Sequence, residues 1–483
     1  MERVIFLFWT LLYVGELTAQ ISFTSAGLNY RIVNDTSVGL VGNNMVCGDI
    51  VIPSSVVYEG KRYDVTFIDD DAFLCSSLTS VIIPEGVTFI GREAFSYCDS
   101  LKSVVLPEGL LTIDDYAFLQ CGSLNSISIP NSVTTLGKEA FGECKSLASA
   151  NIPNSIMYGC FGVFSGCKGL KSVDIEDGVT FISEFMFGDC CGLTSVVFPN
   201  SIRTIGENAF SDCYGLAFID IPNSVKTIGE YAFSNCYGLT SIDIGVTYIG
   251  DGAFDGCSGL KSVNIGEQVT TIGAYAFSQC TALTSITIPD NVTFLDDCVF
   301  LGCWSLTSAV IGNGVSYIAP FTFSGCHALR TVIIPNSVTC IDMGVFMECY
   351  NLTSITIPDS VTFIGEAAFL ECGFKSITIP NSVEIIDMSA ISGCEKLKSV
   401  TIGSGVTLID DYAFSYCSTL KEIKCLSKEP PLVGIEAFAE IDNDCSLSVP
   451  VGSSATYASQ PEWSEFCEGR ISEKDVSEMP CSD

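Results

Sequence analysis

The chain consists of short segments in which apolar and polar residues alternate, and these segments recur about every 23 residues. In one copy, residues 352–358 read Leu-Thr-Ser-Ile-Thr-Ile-Pro, so that Ile355 and Ile357 fall on one side and polar residues on the other. A period of two is typical of a β-strand with one buried face. Proline ends such a strand because it has no N–H to donate, and the Asp-Ser pair that follows favours a turn.

A second apolar segment completes each copy. Residues 361–372 read Val-Thr-Phe-Ile-Gly-Glu-Ala-Ala-Phe-Leu-Glu-Cys. The Ala-Phe-x-x-Cys part is too short for a full helix and predicts a single 3₁₀ or α turn. The phenylalanine recurs at positions 73, 95, 118, 141, 164, 187, 210, 233, 254, 277, 300, 323, 346, 369, 414 and 438, with Ile391 taking its place once.

These copies predict one continuous repeat structure. A single copy cannot bury its Leu, Ile, Val and Phe residues alone, whereas stacked copies align them into a core, with neighbouring strands about 4.8 Å apart. The sequence therefore predicts a β-rich solenoid of about 17 coils. We expect one unbroken parallel sheet from about Leu78 to Leu426, with the phenylalanines buried behind it.

The repeat also resembles a known family. The pattern Cys-x-x-Leu-x-x-Ile-x-Ile-Pro, followed by Val-x-x-Ile-Gly-x-x-Ala-Phe, resembles the BspA-like, or Treponema-type, leucine-rich repeats of bacterial and protist surface proteins, over about residues 47–440. The resemblance implies a leucine-rich-repeat solenoid with its parallel sheet on the concave face and short helical turns and strands on the other face. It further implies adhesion to host matrix or other cells, recognition by protein contact, and no catalytic activity.

Four regions follow from these patterns. Residues 1–20 contain an arginine, an apolar run over residues 4–14 and a small-residue end, which together predict a signal peptide. Residues 21–46 form an N-terminal edge segment, residues 47–440 the solenoid, and residues 441–483 a capping coil and tail. We therefore expect a secreted or cell-surface protein with no membrane insertion after signal cleavage.

Charge narrows the choice of partner. The chain has 22 Lys and Arg against 56 Asp and Glu, a net charge of −34. A surface this acidic repels nucleic acid and anionic lipid. We expect an extracellular protein or glycoprotein partner, with a basic segment as one option. The alternative is a structural or antigenic coat protein without a dedicated ligand, in which the charge serves only solubility.

Residues for catalysis are scarce. The one histidine, His327, follows Cys326 at a turn and is interpreted as a solvated side chain. Paired acids such as Asp114 and Asp115 recur before Ala-Phe and are interpreted as turn formers. The sequence therefore predicts no enzyme, no metal site and no cofactor.

Cysteine follows the phenylalanine in nearly every copy. Sixteen of the 25 cysteines are assigned to this repeated position, from Cys75 to Cys417. Equivalent side chains of stacked coils point in parallel, which is poor geometry for a disulfide, so the sequence predicts a ladder of buried free thiols. Four of the remaining nine, Cys425, Cys445, Cys467 and Cys481, lie near the C-terminus, where we expect some to pair.

The outward strand positions are the candidate binding surface. The first is serine in most coils and is interpreted as a ladder held by hydroxyl contacts. The second varies and is acidic at Asp174, Asp220 and Asp243, next to the exposed aromatic Phe218. Variation on a fixed scaffold is where recognition is encoded, so we place the partner between residues 174 and 255.

A second acidic column lies at the turn before Ala-Phe. Glu184, Glu207, Glu230 and Asp251 hold the same position in four consecutive coils. Like charges this close repel one another. Either solvent screens them, or a cation or basic partner offsets the repulsion.

Overall fold

The computed structural model describes residues 21–466 and 469–475, and it is a parallel β-solenoid of about 19 turns with almost no helix. The predicted solenoid is confirmed. The count exceeds 17 because strands before the first phenylalanine, Cys47–Val51, and after the last, Ser446–Pro450, also make turns of the solenoid. The predicted signal peptide lies outside the described residues.

One side of each coil carries the first apolar segment, and we call this side the serine face. Its side chains alternate between the core and solvent, as a period of two requires. Its strands are Cys47–Val51, Ser77–Ile82, Ser103–Val105, Ser149–Ile152, Ser172–Ile175, Ser195–Val197, Phe218–Asp220, Ser241–Ile244, Ser262–Ile265, Ser285–Thr287, Ser308–Val310, Thr331–Ile333, Ser376–Ile379, Ser399–Ile402, Glu422–Cys425, Ser446–Pro450 and Ile471–Lys474.

A second side carries two-residue strands from the segment before Gly-x-x-Ala-Phe. They are Phe89–Ile90, Thr112–Ile113, Thr135–Leu136, Tyr158–Gly159, Phe181–Ile182, Thr204–Ile205, Thr227–Ile228, Tyr248–Ile249, Thr271–Ile272, Phe294–Leu295, Tyr317–Ile318, Cys340–Ile341, Phe363–Ile364, Ile385–Ile386, Leu408–Ile409 and Leu432–Val433. These strands pair in long runs, one of six strands from Phe181 to Leu295 and another of six from Tyr317 to Val433.

The serine face is not one unbroken sheet, and that expectation is wrong. It divides into sheets of two, three and five strands, and residues 352–358 form no strand. In most coils the residue before the strand donates a backbone hydrogen bond to the preceding coil. This bond measures 2.8 Å from Thr307 N to Thr284 O, inside one sheet, but 3.4 Å from Thr284 N to Lys261 O, between two sheets. Segments of three or four residues share few ladder bonds, so a small widening between coils ends the pairing.

The Ala-Phe-x-x-Cys segment is a run of turns closed by i to i−3 bonds, as in the 3₁₀ turn that the sequence predicts, and the alternative of an α turn is wrong. In the second coil the N–H groups of Ala94, Ser96 and Cys98 bond within the coil to the carbonyl three residues back. The alternate N–H groups, including that of Phe95, which bonds to Ala117 O at 2.7 Å, donate to the next coil. Because every second donor leaves the coil, the i to i−4 bonds of a helix do not form.

The phenylalanines form the centre of the core, as predicted. From Phe73 to Phe369 each ring stacks on the next with centroids 5.0–5.9 Å apart. Phe118, Phe141 and Phe210 have no exposed surface. Ile391 interrupts the stack, which resumes between Phe414 and Phe438.

Both ends of the described solenoid carry additional structure. At the N-terminal end, strands Ser22–Ser25, Leu28–Ile32 and Ser37–Leu40 lead to the hairpin Ser55–Tyr58 and Lys61–Ile68. At the C-terminal end, helix Ser454–Ala458 and 3₁₀ helix Pro461–Phe466 cover the last coils. There the indole N–H of Trp463, a fully buried residue, donates to Pro431 O at 3.0 Å.

The cysteine ladder is confirmed from Cys98 to Cys417, where every member is a buried free thiol. Cys75 is a correction, because it is exposed. It follows Phe73 by two residues and not three, and Ser76 occupies the buried position, with its hydroxyl 3.1 Å from Cys98 Sγ. In the tail, Cys425 and Cys445 are free, while Cys467 and Cys481 lie outside the described residues, so pairing there stays a prediction.

Candidate binding surface

The serine face presents its hydroxyls to solvent. Apart from Ser80, which donates to Asp49 Oδ1 at 2.7 Å, and Ser446, which donates to Lys421 O at 3.2 Å, no serine hydroxyl of the column makes a hydrogen bond within the described residues. The interpretation of this column as a hydroxyl ladder is therefore wrong. The strands stand about 4.8 Å apart, and in this column the outward hydroxyls of neighbouring strands do not turn toward one another closely enough to bond. The hydroxyls are left available to a partner.

Phe218 interrupts the serine column with an exposed ring. Its strand, Phe218–Asp220, pairs with Ser195–Val197, so that Phe218 lies opposite Ser195 and Asp220 opposite Val197. Phe218 is 59% exposed and Val197 is 80% exposed, while Ile219 between the outward residues is buried. The alternation of the strand therefore holds two apolar side chains in solvent beside a carboxylate.

Phe218, Asp220 and Asp243 line one shallow cleft of about 170 Å³, which also includes Ser241, Ser262 and Asn264. Asp220 and Asp243 are exposed and form no ion pair within the described part of the chain. The structure thus brings three of the four predicted face residues together. The cleft combines an apolar ring with two unneutralised carboxylates.

Asp174 lies on the same face but outside this cleft. Its strand, Ser172–Ile175, pairs with Ser149–Ile152, and the sheet ends before Ser195–Val197. Two coils separate Asp174 from Asp220, which corresponds to about 10 Å at the usual strand spacing. Asp174 is exposed and contributes charge to this region of the face without contacting the cleft.

The acidic turn column lies at the run of turns and not on the serine face. Its backbone joins coil to coil, since Phe185 N donates to Glu207 O and Asn208 N to Glu230 O, both at 2.9 Å. The side chains of Glu184, Glu207 and Glu230 are exposed. Asp251 differs, because it is half-buried and its Oδ1 accepts the N–H of Ala274 at 3.1 Å. Among described residues, no three His, Cys, Asp or Glu side chains converge to hold a metal ion.

A larger groove on the serine face was not foreseen. It has a volume of about 650 Å³ and lies where residues 352–358 form no strand. Val310, Ile333 and Ile355 line it together with Ser and Thr side chains, and Ile333 is 61% exposed. The sequence signal was the apolar pair Val310 and Ile333 at the variable outward position. This groove is mostly uncharged, in contrast to the cleft at Phe218.

A row of aromatic rings, which the sequence analysis did not predict, lies where each coil turns from the Ala-Phe-x-x-Cys segment toward the serine face. We call this part of the surface the turn edge. Trp304, His327 and Tyr350 each follow a ladder cysteine, and their rings stack in that order with centroids 6.2 and 5.1 Å apart. His327 is half-exposed, and its Nε2 lies 3.6 Å from Glu348 Oε2. The sequence signal was an aromatic residue directly after the cysteine in consecutive coils.

Comparison with known proteins gives a consistent result. BspA-type leucine-rich-repeat regions match residues 66–190, 148–260, 180–307, 241–353 and 339–451. A leucine-rich repeat protein from Bacteroides ovatus has a solved structure that is 25% identical, with 88% of this chain and 99% of that one covered and a TM-score of 0.63.

Two further solved structures are similar over shorter stretches. A leucine-rich cell surface protein from Faecalibacterium prausnitzii is 31% identical, covering 65% of this chain and 94% of that one, with a TM-score of 0.46. The leucine-rich repeat protein of T. pallidum is 30% identical, covering 40% and 90%, with a TM-score of 0.35. No curated protein matches the chain. Within the described residues, no helix has the length and apolar character needed to cross a membrane.

Proposed function

The chain belongs to the BspA-type leucine-rich-repeat family, and we propose that it is an extracellular or cell-surface adhesion module that binds a protein or glycoprotein through its serine face. The observation that carries the proposal is the exposed ring of Phe218 beside Asp220 and Asp243 on an otherwise regular hydroxyl surface. Exposed aromatic side chains are frequent anchors of protein interfaces. Because Phe218 lies on a strand of the solenoid, its backbone is already ordered, which lowers the entropic cost of binding.

The charge around the cleft favours a partner with a basic segment. Residues 174–255 contain 12 acidic residues and two basic ones, Arg203 and Lys226. Carboxylates that lack ion pairs attract Lys and Arg side chains of a partner and speed the encounter more than they deepen affinity. The ring of Phe218 then provides contact area, and the neighbouring serine hydroxyls provide hydrogen bonds.

The proposed role is binding and not catalysis. Its support is the family, together with a surface that offers hydroxyls, carboxylates and exposed apolar side chains to a partner. A coat protein without a dedicated ligand is the competing function, and it predicts that no residue of the serine face is special. Substitution of single outward residues therefore distinguishes the two.

The experiment compares Phe218→Ala with Phe294→Ala. Phe294 is a matched control because it is 52% exposed and lies on a two-residue strand of the second side. Extracellular-matrix proteins and cell-surface glycoproteins are passed over the immobilised chain, and the dissociation constant of any that binds is measured by surface plasmon resonance. We expect Phe218→Ala to weaken binding by about 2 kcal/mol and Phe294→Ala to leave it unchanged. Equal effects of the two variants, or no retained protein, would favour the coat function.

A further inference from the structure

One coil of the solenoid is shorter than its neighbours at the turn edge. Most coils place two residues between the ladder cysteine and the next buried leucine, as between Cys349 and Leu352, but only Gly373 separates Cys372 from Phe374. Phe374 fills the leucine position, fully buried, and meets the ring of Phe369 edge to face at 5.5 Å. The chain therefore takes a shorter path at this corner while its core remains filled.

The shortened corner leaves one ring of the aromatic row without a neighbour. Tyr350 stacks on His327 on one side. On the other side the equivalent position is Gly373, which has no side chain to continue the stack. Glycine is required there, because a Cβ on Gly373 would lie 2.2 Å from the carbonyl oxygen of Tyr350. The result is an open cavity of about 670 Å³, within the range of about 300–1,000 Å³ that is usual for small-molecule sites.

Polar side chains surround the open ring. The hydroxyl of Tyr350 donates to Glu371 Oε2 at 3.3 Å. The ammonium group of Lys396 donates to the carbonyl oxygen of Tyr350 at 3.3 Å, and so reaches across the shortened coil from two coils away. Glu395 and Tyr416 also line the cavity. We call this set, Tyr350, Glu371, Gly373, Glu395, Lys396 and Tyr416, the Tyr350 notch.

Two carboxylates and one ammonium group line the notch, so that it repels anions, while the ammonium group weakens its attraction for a cation. A cation would meet the ammonium group of Lys396, and an anion would meet the carboxylates of Glu371 and Glu395. A neutral ligand rich in hydroxyls can instead accept from Lys396 and donate to both carboxylates. The flat apolar ring of Tyr350 provides contact area for a ligand with one apolar face.

We propose that the Tyr350 notch binds a neutral sugar residue, with one face of the pyranose ring on Tyr350 and its hydroxyls bonded to Glu371, Glu395 and Lys396. A pyranose has both properties that the notch selects, an apolar face of C–H groups and a rim of hydroxyls. The notch lies on the turn edge and not on the serine face. This site is therefore separate from the protein-binding cleft at Phe218, and neither depends on the other.

The test uses saturation-transfer NMR on the full chain with the neutral methyl glycosides of glucose, galactose, mannose and N-acetylglucosamine. Arginine amide and methyl phosphate, which both carry C–H protons for the measurement, serve as the cationic and anionic probes. We expect saturation transfer from the protein to at least one glycoside. We expect none to the charged probes that depends on Tyr350. Failure of all four glycosides to bind, or loss of arginine amide binding in Tyr350→Ala, would overturn the proposal.

Variants then assign the signal to the notch. Tyr350→Ala removes the ring and should lower the affinity for the glycoside at least about tenfold, as expected for an anchoring aromatic. Tyr350→Phe keeps the ring and should retain most of the affinity. Tyr237→Ala is the matched control, since Tyr237 holds the same turn position in a coil of full length and stacks on Tyr214 at 5.0 Å. Wild-type binding by Tyr350→Ala with an unchanged melting temperature would contradict the proposal. Because Phe218→Ala should leave glycoside binding intact, the two functions fail independently.

Discussion

The thiol of Cys213 donates a hydrogen bond to the carbonyl oxygen of Phe187 in the preceding coil, with 3.1 Å between sulfur and oxygen. The same carbonyl accepts the N–H of Cys190 at 3.2 Å, so both of its lone pairs are used. The bond from the thiol to a carbonyl of the preceding coil recurs for the thiols of residues 98, 121, 144, 167, 190, 213, 236, 257, 280, 303, 326, 349, 372, 394 and 417. The cysteines therefore join the coils as hydrogen-bond donors and not as disulfides.

This bond predicts how Cys213 responds to substitution. Cys213→Ala removes the donor and leaves a void, and should lower the free energy of unfolding by about 1–3 kcal/mol. Cys213→Ser keeps a donor and should cost less, because Ser76 already occupies the equivalent buried position in the first coil. Urea denaturation of both variants measures the difference. A serine variant less stable than the alanine variant would show that the hydrogen bond is not what this position requires.

Thiol reactivity should follow burial. Cys47 and Cys75 are exposed and should be alkylated within minutes in the folded protein, whereas the ladder thiols should react only after unfolding, since the thiolate is the reactive species. Mass spectrometry of the unreduced, alkylated protein reads out each site. The same spectra test whether Cys467 and Cys481 are paired. A disulfide between successive ladder positions, such as Cys213 and Cys236, would reject the ladder of free thiols.

The buried thiols should make the protein sensitive to alkali. Burial raises the pKa of the Cys257 and Cys303 thiols to about 12, from about 8.5 in the unfolded chain. The unfolded state therefore binds fewer protons between these values, so the stabilisation is complete below about pH 8.5 and falls by about 1.4 kcal/mol per thiol for each further pH unit. Melting temperatures between pH 8 and 11 should decline, and less steeply when Cys257 and Cys303 are both replaced by valine. An equal decline in that variant would exclude this contribution.

Removal of one ring from the phenylalanine stack should be costly. Phe210 lies between Phe187 and Phe233 with centroids 5.2 and 5.3 Å away. Phe210→Ala leaves a cavity in a fully buried core and should cost about 3–5 kcal/mol. Phe218→Ala removes the same side chain from an exposed position and should leave the melting temperature nearly unchanged. Thermal melts of the two variants check this, and a similar loss in both would mean that burial is not what distinguishes them.

The carboxylates of the cleft should act mainly on the rate of association. With a basic partner, Asp220→Asn combined with Asp243→Asn should slow association while dissociation changes little. The effect should be larger at low salt, because the Debye length shortens to about 10 Å at 0.1 M. Glu184→Gln combined with Glu207→Gln removes the same charge from the turn column and is the control. If the two double variants had the same association rate, the partner would bind elsewhere than at the cleft.

The sequence by itself determined the solenoid, the two sides of each coil and the buried stack of phenylalanines. It did so because each coil repeats one pattern, and a period of two fixes which residues face the core in every copy. The exposure of Phe218, Asp220 and Asp243 followed from the same rule. These features depend on position within a coil, which a single chain records many times.

Other features depend on how neighbouring coils meet, and only the tertiary structure decided them. The serine face divides into short sheets because inter-coil bonds widen by tenths of an ångström, as between Thr284 and Lys261. Ser76 takes the place of Cys75 in the ladder because the buried position of the turn is the third residue after the phenylalanine, and Ser76 is the third residue after Phe73. The open face of Tyr350 exists because Gly373, one coil away, has no side chain to cover it. Such contacts join residues about 23 positions apart, and the pattern within one coil does not contain them.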